Sequence, residues 1–495
     1  MSIPVVDVFA GPGGLNEGFS SVGEGKVFET KLSIEMEDSA IATLTLRATT
    51  RSIRKSGEQL ALQTLERLLS KRITLEQFYG DRSVQPHKQL AESEVQQFTL
   101  SEDSRRQSDE LIRERLADES GEIPSQWVLI GGPPCQAYSL AGRSRRTNDV
   151  NFEDDHKHFL FREYLHIIEE FKPSVFVMEN VKGMLSSTNR GRKIFELLQH
   201  DLESFDYGLS YKLHSMVVEP DPSGIRPEDF LIKSERFGIP QKRHRVIIVG
   251  VRSDLGDLRP NKLRNVPQTT VRDAIAGLPR LRSGISRGQD PTGELWNQTW
   301  SEHNTNIKHR PERQSLDIYV LNRTNTSRDD ARELHAWLGA HRPARLWNHE
   351  SRSHMRSDLD RYTQLAAIAQ APPYNNTSSP KAKELDDRYW PKHANFGQDD
   401  TPFDDRFRVQ VWDAPSTTVV SHIAKDGHYY IHPDPTQMRS LTVREAARLQ
   451  TFPDDYIFLG NRTQQYTQVG NAVPPLLANK IGTSIAQMLS GGSKR

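Results

Sequence analysis

The chain has 495 residues, with 65 lysines and arginines against 65 aspartates and glutamates, and a single cysteine. That length allows two or three domains with a large core. It contains no apolar run long enough for a transmembrane helix, and one cysteine excludes an intramolecular disulfide framework or a cysteine-rich metal site. Zero net charge neither requires nor excludes nucleic acid, because local clustering decides that. The opening Met1-Ser2-Ile3-Pro4 lacks a basic region followed by an apolar stretch, so no secretory signal is expected. The lone thiol fits a reducing, cytoplasmic compartment.

Val5-Val6-Asp7-Val8-Phe9 reads as a strand, Ala10-Gly11-Pro12-Gly13-Gly14 as a tight glycine turn, Leu15 to Val22 as the start of a helix, and Leu32-Ser33-Ile34-Glu35 as a second strand. Strand, glycine turn, helix and an acid closing the next strand form the layout of a nucleoside-binding half-fold. The glycines let backbone approach the ligand, and the acid accepts from ribose hydroxyls. The bland alternative is a tight strand–helix connection; Glu35 at that spacing favours an adenosyl ligand.

From about residue 49 to 122 the chain is polar and of mixed charge, with helical stretches at Glu58 to Lys71 and Ser108 to Leu116 and no strand-like run, so it reads as a helical insertion. The α/β alternation resumes with Trp127-Val128-Leu129-Ile130 as a buried strand, Phe159 to Phe171 as an amphipathic helix, Ser174 to Met178 as a strand, Lys193 to Phe205 as a helix, and His244 to Val251 as another strand.

Cys135 follows Gly131-Gly132-Pro133-Pro134. A lone thiol is either a buried, inert side chain or a nucleophile. Two glycines that break a strand and two prolines that stiffen its exit present a side chain rather than pack it away. Glu179 follows another apolar strand. In open α/β sheets ligands bind beyond the carboxyl ends of the strands, so Cys135 and Glu179 are expected to share a cleft. A carboxyl group there sits where burial favours its protonated form, which suits proton donation. On its own Glu179 would read as a surface residue at a turn.

The assembled pieces resemble the DNA (cytosine-5)-methyltransferases. The resemblance rests on Asp7-Val8-Phe9-Ala10-Gly11-Pro12-Gly13-Gly14, Gly132-Pro133-Pro134-Cys135-Gln136-Ala137-Tyr138-Ser139, Glu179-Asn180-Val181, Gln241-Lys242-Arg243-His244-Arg245, Arg444 to Pro453, and Gln468 to Pro475, all in the family's order. It covers roughly residues 1–48, 124–252 and 405–490. It implies an S-adenosylmethionine-dependent, Rossmann-like α/β catalytic domain over 1–252 carrying the helical insertion. A smaller, β-containing target-recognition domain would follow over 253–440, with a return segment over 441–495 that completes the catalytic domain.

The implied chemistry starts from a poor nucleophile, carbon 5 of cytosine. The Cys135 thiolate adds at carbon 6, carbon 5 then accepts the methyl group of S-adenosylmethionine, and loss of the carbon 5 proton expels the thiol, leaving S-adenosylhomocysteine. By the same resemblance Glu179 contacts ring nitrogen 3 and the exocyclic amine, and Arg243 and Arg245 hold the base carbonyl and nearby phosphate. No residue stands out as the base for the carbon 5 proton. Phe9, Gly11, Gly13, Gly14 and Leu15 would line the methionine and ribose end, Glu35 the ribose hydroxyls, and Met36 the adenine face, with Pro134, Leu160 and Asn471 also at cofactor-lining positions. The family's acid after the third strand, which reads the adenine amine, has no clear counterpart; Asp81 is a candidate.

The implied partner is double-stranded DNA, entered by a monomer that flips the target base out of the stack, with Ala137 to Asn151 as a loop closing over it. A cognate restriction endonuclease and no metal are expected. Recognition would draw on the arginine-, histidine- and asparagine-rich stretches His303 to Arg313 and Arg342 to Arg356. Phe407 to Trp412 and Thr417 to Val420 read as strands, Thr442-Val443-Arg444-Glu445 as a capped helix start, and Asn471 to Leu489 as the returning helix. A transfer-RNA methyltransferase would share the cysteine loop but have a shorter variable region. A non-catalytic homologue would have lost the thiol or the glycine turn. A thiol hydrolase would need a histidine such as His156 or His158 at Cys135, with further hydrolase motifs that are missing.

Overall fold

The computed structural model describes residues 2–134, 160–186, 188–189, 192–203, 210–219, 224–286, 290–304, 311, 331–391, 396 and 406–492. Cys135, the loop from Ala137 to Asn151, His156 and His158 lie outside the described residues.

Eight strands form one sheet: β1 (Ile3–Val8), β2 (Phe28–Glu35), β3 (Val95–Gln97), β4 (Val128–Gly131), β5 (Val175–Val181), β6 (Tyr211–His214), β7 (Leu231–Lys233) and β8 (His244–Arg252). The order is β3-β2-β1-β4-β5-β8-β6, with β7 paired to β8 off this path. The first five strands are parallel, and β8 runs antiparallel to β5, β6 and β7. The central strands are apolar because both of their faces are covered. Alternation divides them between two cores. Val5, Ile130, Val175 and Val177 face the cluster holding Ile481 and Ile485. Val6, Val8, Leu129, Phe176 and Met178 face the cluster holding Tyr164, Ile167 and Ile168.

The chain leaves β1 toward β2 and β3 on one side, while β4 and β5 extend on the other. This reversal of strand order opens a crevice at the carboxyl ends. Phe9, Glu35 and Gly132 fall there or one step from it, and Glu179 two residues before the end of β5.

The stretch from 49 to 122 differs from its reading as a strandless insertion. Helices Asp38–Ser56, Gln59–Leu69, Leu75–Gly80 and Gln85–Glu94 lead into β3, which pairs with β2 through Ser33↔Val95 to Glu35↔Gln97. This stretch therefore supplies the edge of the main sheet. Val-Gln-Gln escapes a pattern search because it is short, and only Val95 is buried.

Helix Arg105–Leu116 then lies along helix Leu160–Phe171, which follows the undescribed stretch around the thiol. Arg105, Asp109 and Arg113, four residues apart, share one face. They pair with Glu163 at 2.9 Å, His166 at 3.0 Å and Glu170 at 2.7 Å.

Between residues 253 and 440 the described β structure is a two-stranded pair, Gly284–Ile285 with Ser353–His354, and isolated bridges. The segments 407–412 and 417–420 are irregular rather than strands. Val409 bridges only Ile431, and the side chain of Gln410 bonds to Tyr429 O at 2.8 Å and receives Thr417 N at 3.0 Å. Thr270 and Thr442 do cap their helices in reciprocal boxes with Asp273 and Glu445. The expected helix over Asn471 to Leu489 begins later, as Pro475–Gly492, while Asn471 ends a separate helix, Arg462–Asn471; the new helix starts at a proline, which cannot continue a helix but suits its first turn. The new helix packs against Gly18, where a Cβ would stand 2.4 Å from that of Ala478.

Where residues 253–440 meet the return segment, His349 is fully buried. Its Nε2 donates to Pro279 O at 2.9 Å, and its Nδ1 lies 3.0 Å from Thr442 Oγ1. Burial pushes its pKa down from 6.5 to about 4. The unfolded chain therefore binds a proton that the folded chain refuses. The stability tied to this is fully present above pH 6.5 and is lost as pH falls toward 4. Across that window it amounts to roughly 3 kcal/mol. Thermal unfolding from pH 7.5 to 4.5 should show His349→Gln losing less stability on acidification than the parent. An equal slope in both would remove His349 as the cause.

Candidate active site

The site begins where β1 ends. Phe9 has φ +55°, Gly11 +56° and Gly13 +86°, three left-handed conformations in five residues. Gly13 N closes the turn onto Ala10 O at 2.9 Å. Left-handed backbone is costly for phenylalanine and free for glycine, so the surroundings must hold it. A Cβ on Gly11 would meet nothing within 4 Å, so this glycine faces open space. A Cβ on Gly14 would lie 2.1 Å from Val473 O, and one on Gly13 would lie 2.6 Å from Leu44 Cδ2. Gly13, Gly14 and Leu15 are thus buried behind the turn, and the glycines are required there by packing.

Glu35 closes the other wall. Its Oε2 accepts from Gly11 N at 2.7 Å, and its Oε1 accepts from Met36 N at 2.9 Å and Glu37 N at 3.1 Å. One lone-pair direction of Oε2 remains for a further donor. Met36 beside it is 55% exposed, an uncovered apolar platform. Gln97, at the end of β3, donates to Met36 O at 3.2 Å and to the Asp38 carboxylate. This amide stands at the end of the third strand, where the family resemblance calls for an acid. It is missed in sequence because β3 itself is. Asp81, the expected candidate, is engaged locally: its carboxylate accepts from Ser83 N at 3.0 Å and Thr64 Oγ1 at 3.3 Å.

The second half of the site lies at the end of β4 and within the carboxyl-terminal half of β5. Glu179 is part of its strand rather than following it as the sequence suggests, because the antiparallel pairing with β8 carries β5 on to Val181. Glu179 stands opposite Ile247 and Arg245 opposite Val181, so Glu179 and Arg245 are diagonal neighbours on one face of the antiparallel pair. Arg245 Nε lies 2.8 Å from Glu179 Oε1, off the line of its N–H, making an ion pair rather than an aligned hydrogen bond. Glu179 Oε2 lies 3.1 Å from where a Cβ on Gly132 would be, so only glycine lets the carboxylate sit against this loop. Asn180 Nδ2 donates to Pro133 O at 3.1 Å, and Asn180 Oδ1 accepts from Val181 N at 2.8 Å. Asn180 thereby holds the loop at Pro133, and Glu179 sits against Gly132; Gly132–Pro134 are the last residues described before Cys135. Pro134 and Leu160 are half-buried at the two ends of the undescribed stretch, and Asn471 is exposed at the end of its helix.

Arg243 departs from its expected role. It is 2% exposed, and its Nη1 donates to Val419 O at 2.7 Å and Gly470 O at 3.2 Å. Burial, with the Arg245 charge nearby, pushes its pKa well below the usual guanidinium value, and Glu179 opposes that shift. A guanidinium so enclosed clamps main chain and is not presented to a phosphate. Gln241 is likewise buried, bonded to Leu449 O at 3.1 Å and to Gln450 at 2.8 Å.

Asp7 is fully buried beneath the turn, and neither carboxylate oxygen has a hydrogen-bond partner. Burial, then the charges of Glu35 and Glu94, raises its pKa well above the carboxylate range.

A sheet with this strand order, a glycine turn after β1 and an acid at the end of β2 has the Rossmann-like architecture of the S-adenosylmethionine-dependent methyltransferases. Within that class the chain belongs to the C-5 cytosine-specific DNA methylases, whose family profile matches residues 103–487. It is a DNA (cytosine-5)-methyltransferase. It is similar to the type II methyltransferase M.Bpa9945I of Bacillus paralicheniformis, with 33% identity over 502 aligned positions that cover 98% of this chain and 99% of the relative. It is also similar to the type II methyltransferase M.AgeI of Thalassovita gelatinovora, with 28% identity covering 77% and 86%. Among solved structures, a prophage-encoded protein of E. coli assigned as a DNA modification methyltransferase shares the fold at TM-score 0.51 and 19% identity, covering 99% of this chain and all of that one. Among the described residues, no helix is long and apolar enough to cross a membrane.

Proposed function

We propose that this enzyme methylates carbon 5 of a cytosine flipped out of duplex DNA, through covalent addition of Cys135 at carbon 6. The observation that carries the reading is that Glu179 meets Arg245 and sits against Gly132, while its neighbour Asn180 bonds to Pro133 O, on the loop that leads to Cys135. In this arrangement the thiolate adds to the ring while Glu179 holds a proton at nitrogen 3. Negative charge is then neutralised as it forms. Arg245 orients Glu179 and donates to the base carbonyl. Arg243 is assigned a clamping role between the pocket and the segments at Val419 and Gly470. Water takes the carbon 5 proton as the thiolate leaves.

The cofactor end fits S-adenosylmethionine. Open space above Gly11, a half-exposed carboxylate with a lone pair to spare and an uncovered thioether suit an adenosyl group. When bound, the cofactor supplies an electrophilic methyl group. Glu35 accepts from the ribose, Met36 packs on the adenine, and Gln97 offers its amide to the adenine edge. Phe9, Gly11, Gly13, Gly14 and Leu15 form the turn beneath the methionine end, with Pro134, Leu160 and Asn471 around it.

Sequence choice is assigned to residues 253–440, because a single thiol site cannot read several base pairs and groove contacts must. The type II relatives support a role as the modification enzyme of a restriction–modification pair; we infer in addition a monomer on DNA in the cytoplasm. Bisulfite sequencing of DNA from a methylation-free bacterial host expressing the chain tests this. The expected result is complete protection of one cytosine within one short sequence. Unmodified DNA in cells holding folded protein would overturn it.

A further inference from the structure

The glycine turn is open toward the crevice and needs support from behind, since Phe9, Gly11 and Gly13 are all left-handed. That support comes from the far end of the chain. The Tyr456 hydroxyl donates to Pro12 O, a bond spanning 444 residues, and lies 3.1 Å from where a Cβ on Gly13 would stand. Pro12 is buried, so its carbonyl would otherwise lack a donor.

The Tyr456 ring is buried between three side chains. Phe452 and Phe458 pack against it with centroids 4.8 and 5.3 Å away, and the Arg47 guanidinium sits 5.0 Å over its face. Arg47 is itself held by Glu17, at 2.8 and 2.5 Å, and by Asp455 at 2.7 Å; Arg54 reaches Asp455 at 2.5 Å. Glu17 belongs to helix Gly14–Ser20, which leaves the turn directly. Burial alone would raise the Asp455 pKa, but Arg47 and Arg54 hold it well below the carboxylate range. The backbone under Tyr456 is anchored by Arg444, which donates to Tyr456 O at 2.5 Å, Pro453 O at 3.0 Å and Trp347 O at 3.0 Å.

We infer that Tyr456 is a positioning residue for the cofactor: its hydroxyl, aimed by the Glu17–Arg47–Asp455 cluster, holds the Pro12 carbonyl and so presets the turn that receives the methionine end of S-adenosylmethionine. This rests on the reading that the turn is the cofactor site. A preset turn spares the ligand the entropy of ordering it. Its loss therefore weakens cofactor binding and leaves the chemistry at Glu179 alone.

The test uses the full-length enzyme and three variants. Calorimetry with S-adenosylhomocysteine is combined with steady-state methylation in which S-adenosylmethionine and DNA are varied separately. Tyr456→Phe keeps the ring and removes the hydroxyl. It should raise the KM for S-adenosylmethionine, and the Kd for S-adenosylhomocysteine, about tenfold, as expected for one buried hydrogen bond. Its kcat at saturating cofactor and its KM for DNA should stay within about twofold. A residue that only stabilised the fold would lower Tm and the active fraction without this split. Arg47→Lys, which keeps the charge but loses the two-sided grip, should shift the same constants and covers the case in which Tyr456→Phe does not fold. Glu35→Gln is the reference for the cofactor site. If Glu35→Gln weakens binding while the other two do not, Tyr456 has no positioning role. If Glu35→Gln leaves binding unchanged, the cofactor reading falls and the inference with it.

Discussion

Cys135→Ser is expected to reduce methyl transfer to background, a loss on the order of a thousandfold or more. A hydroxyl is a far weaker nucleophile than a thiolate at neutral pH, and covalent addition is the step that makes carbon 5 reactive. Binding to duplex DNA should persist, because affinity comes mainly from phosphate and groove contacts. The substitution also spares the bond of Asn180 to Pro133 O on the loop that leads to it. Tritium transfer from labelled cofactor and a gel-shift titration on the same duplex separate the two effects. Turnover by the serine variant within tenfold of the parent would end the nucleophile assignment.

Glu179→Gln should slow methyl transfer by about a hundredfold or more, the usual cost of losing a general acid. Geometry adds a second effect. Glu179 is the counter-charge to Arg245 at 2.8 Å, and its charge also offsets the cost of burying Arg243. A neutral amide leaves the unfavourable effect of the Arg245 charge on the buried Arg243 unopposed. The variant should therefore melt at a lower temperature than the parent, with its DNA- and cofactor-binding constants changed much less than kcat. A variant with normal kcat and weakened S-adenosylmethionine binding would move Glu179 into the cofactor site.

Much of this architecture is legible in the residues themselves. Strands β1, β2, β4, β5 and β8 are apolar runs bounded by glycine, proline or charge, and the reversal of strand order brings Phe9, Glu35, Gly132 and Glu179 to one rim. What escapes is whatever lacks periodicity. Strand β3 is three residues with one buried. The alternating Phe407 to Trp412 looks like a strand, but its alternation places side chains on a core, with no neighbouring strand beyond a bridge at Ile431.

Arg243 and Arg245 sit two apart and read as equivalents. Only Arg245 lies within β8, on the face of Glu179; Arg243 precedes the strand, where alternation no longer holds, and turns into the interior. Tyr456 is invisible for a different reason. Its partner, Pro12, lies 444 residues away, and no local pattern announces a hydroxyl meeting a carbonyl across that distance.

The central claim is that carbon 5 methylation proceeds through a covalent bond to Cys135. It is tested most directly with a duplex carrying 5-fluorocytosine at the methylated position, incubated with enzyme and S-adenosylmethionine and resolved under denaturing conditions. Fluorine cannot leave carbon 5 as a proton does, so the adduct should accumulate, with the crosslinked peptide containing Cys135 and the Cys135→Ser variant forming none. Methylation of the ordinary duplex with no trapped species on the fluorinated one, or a crosslink to another residue, would contradict it.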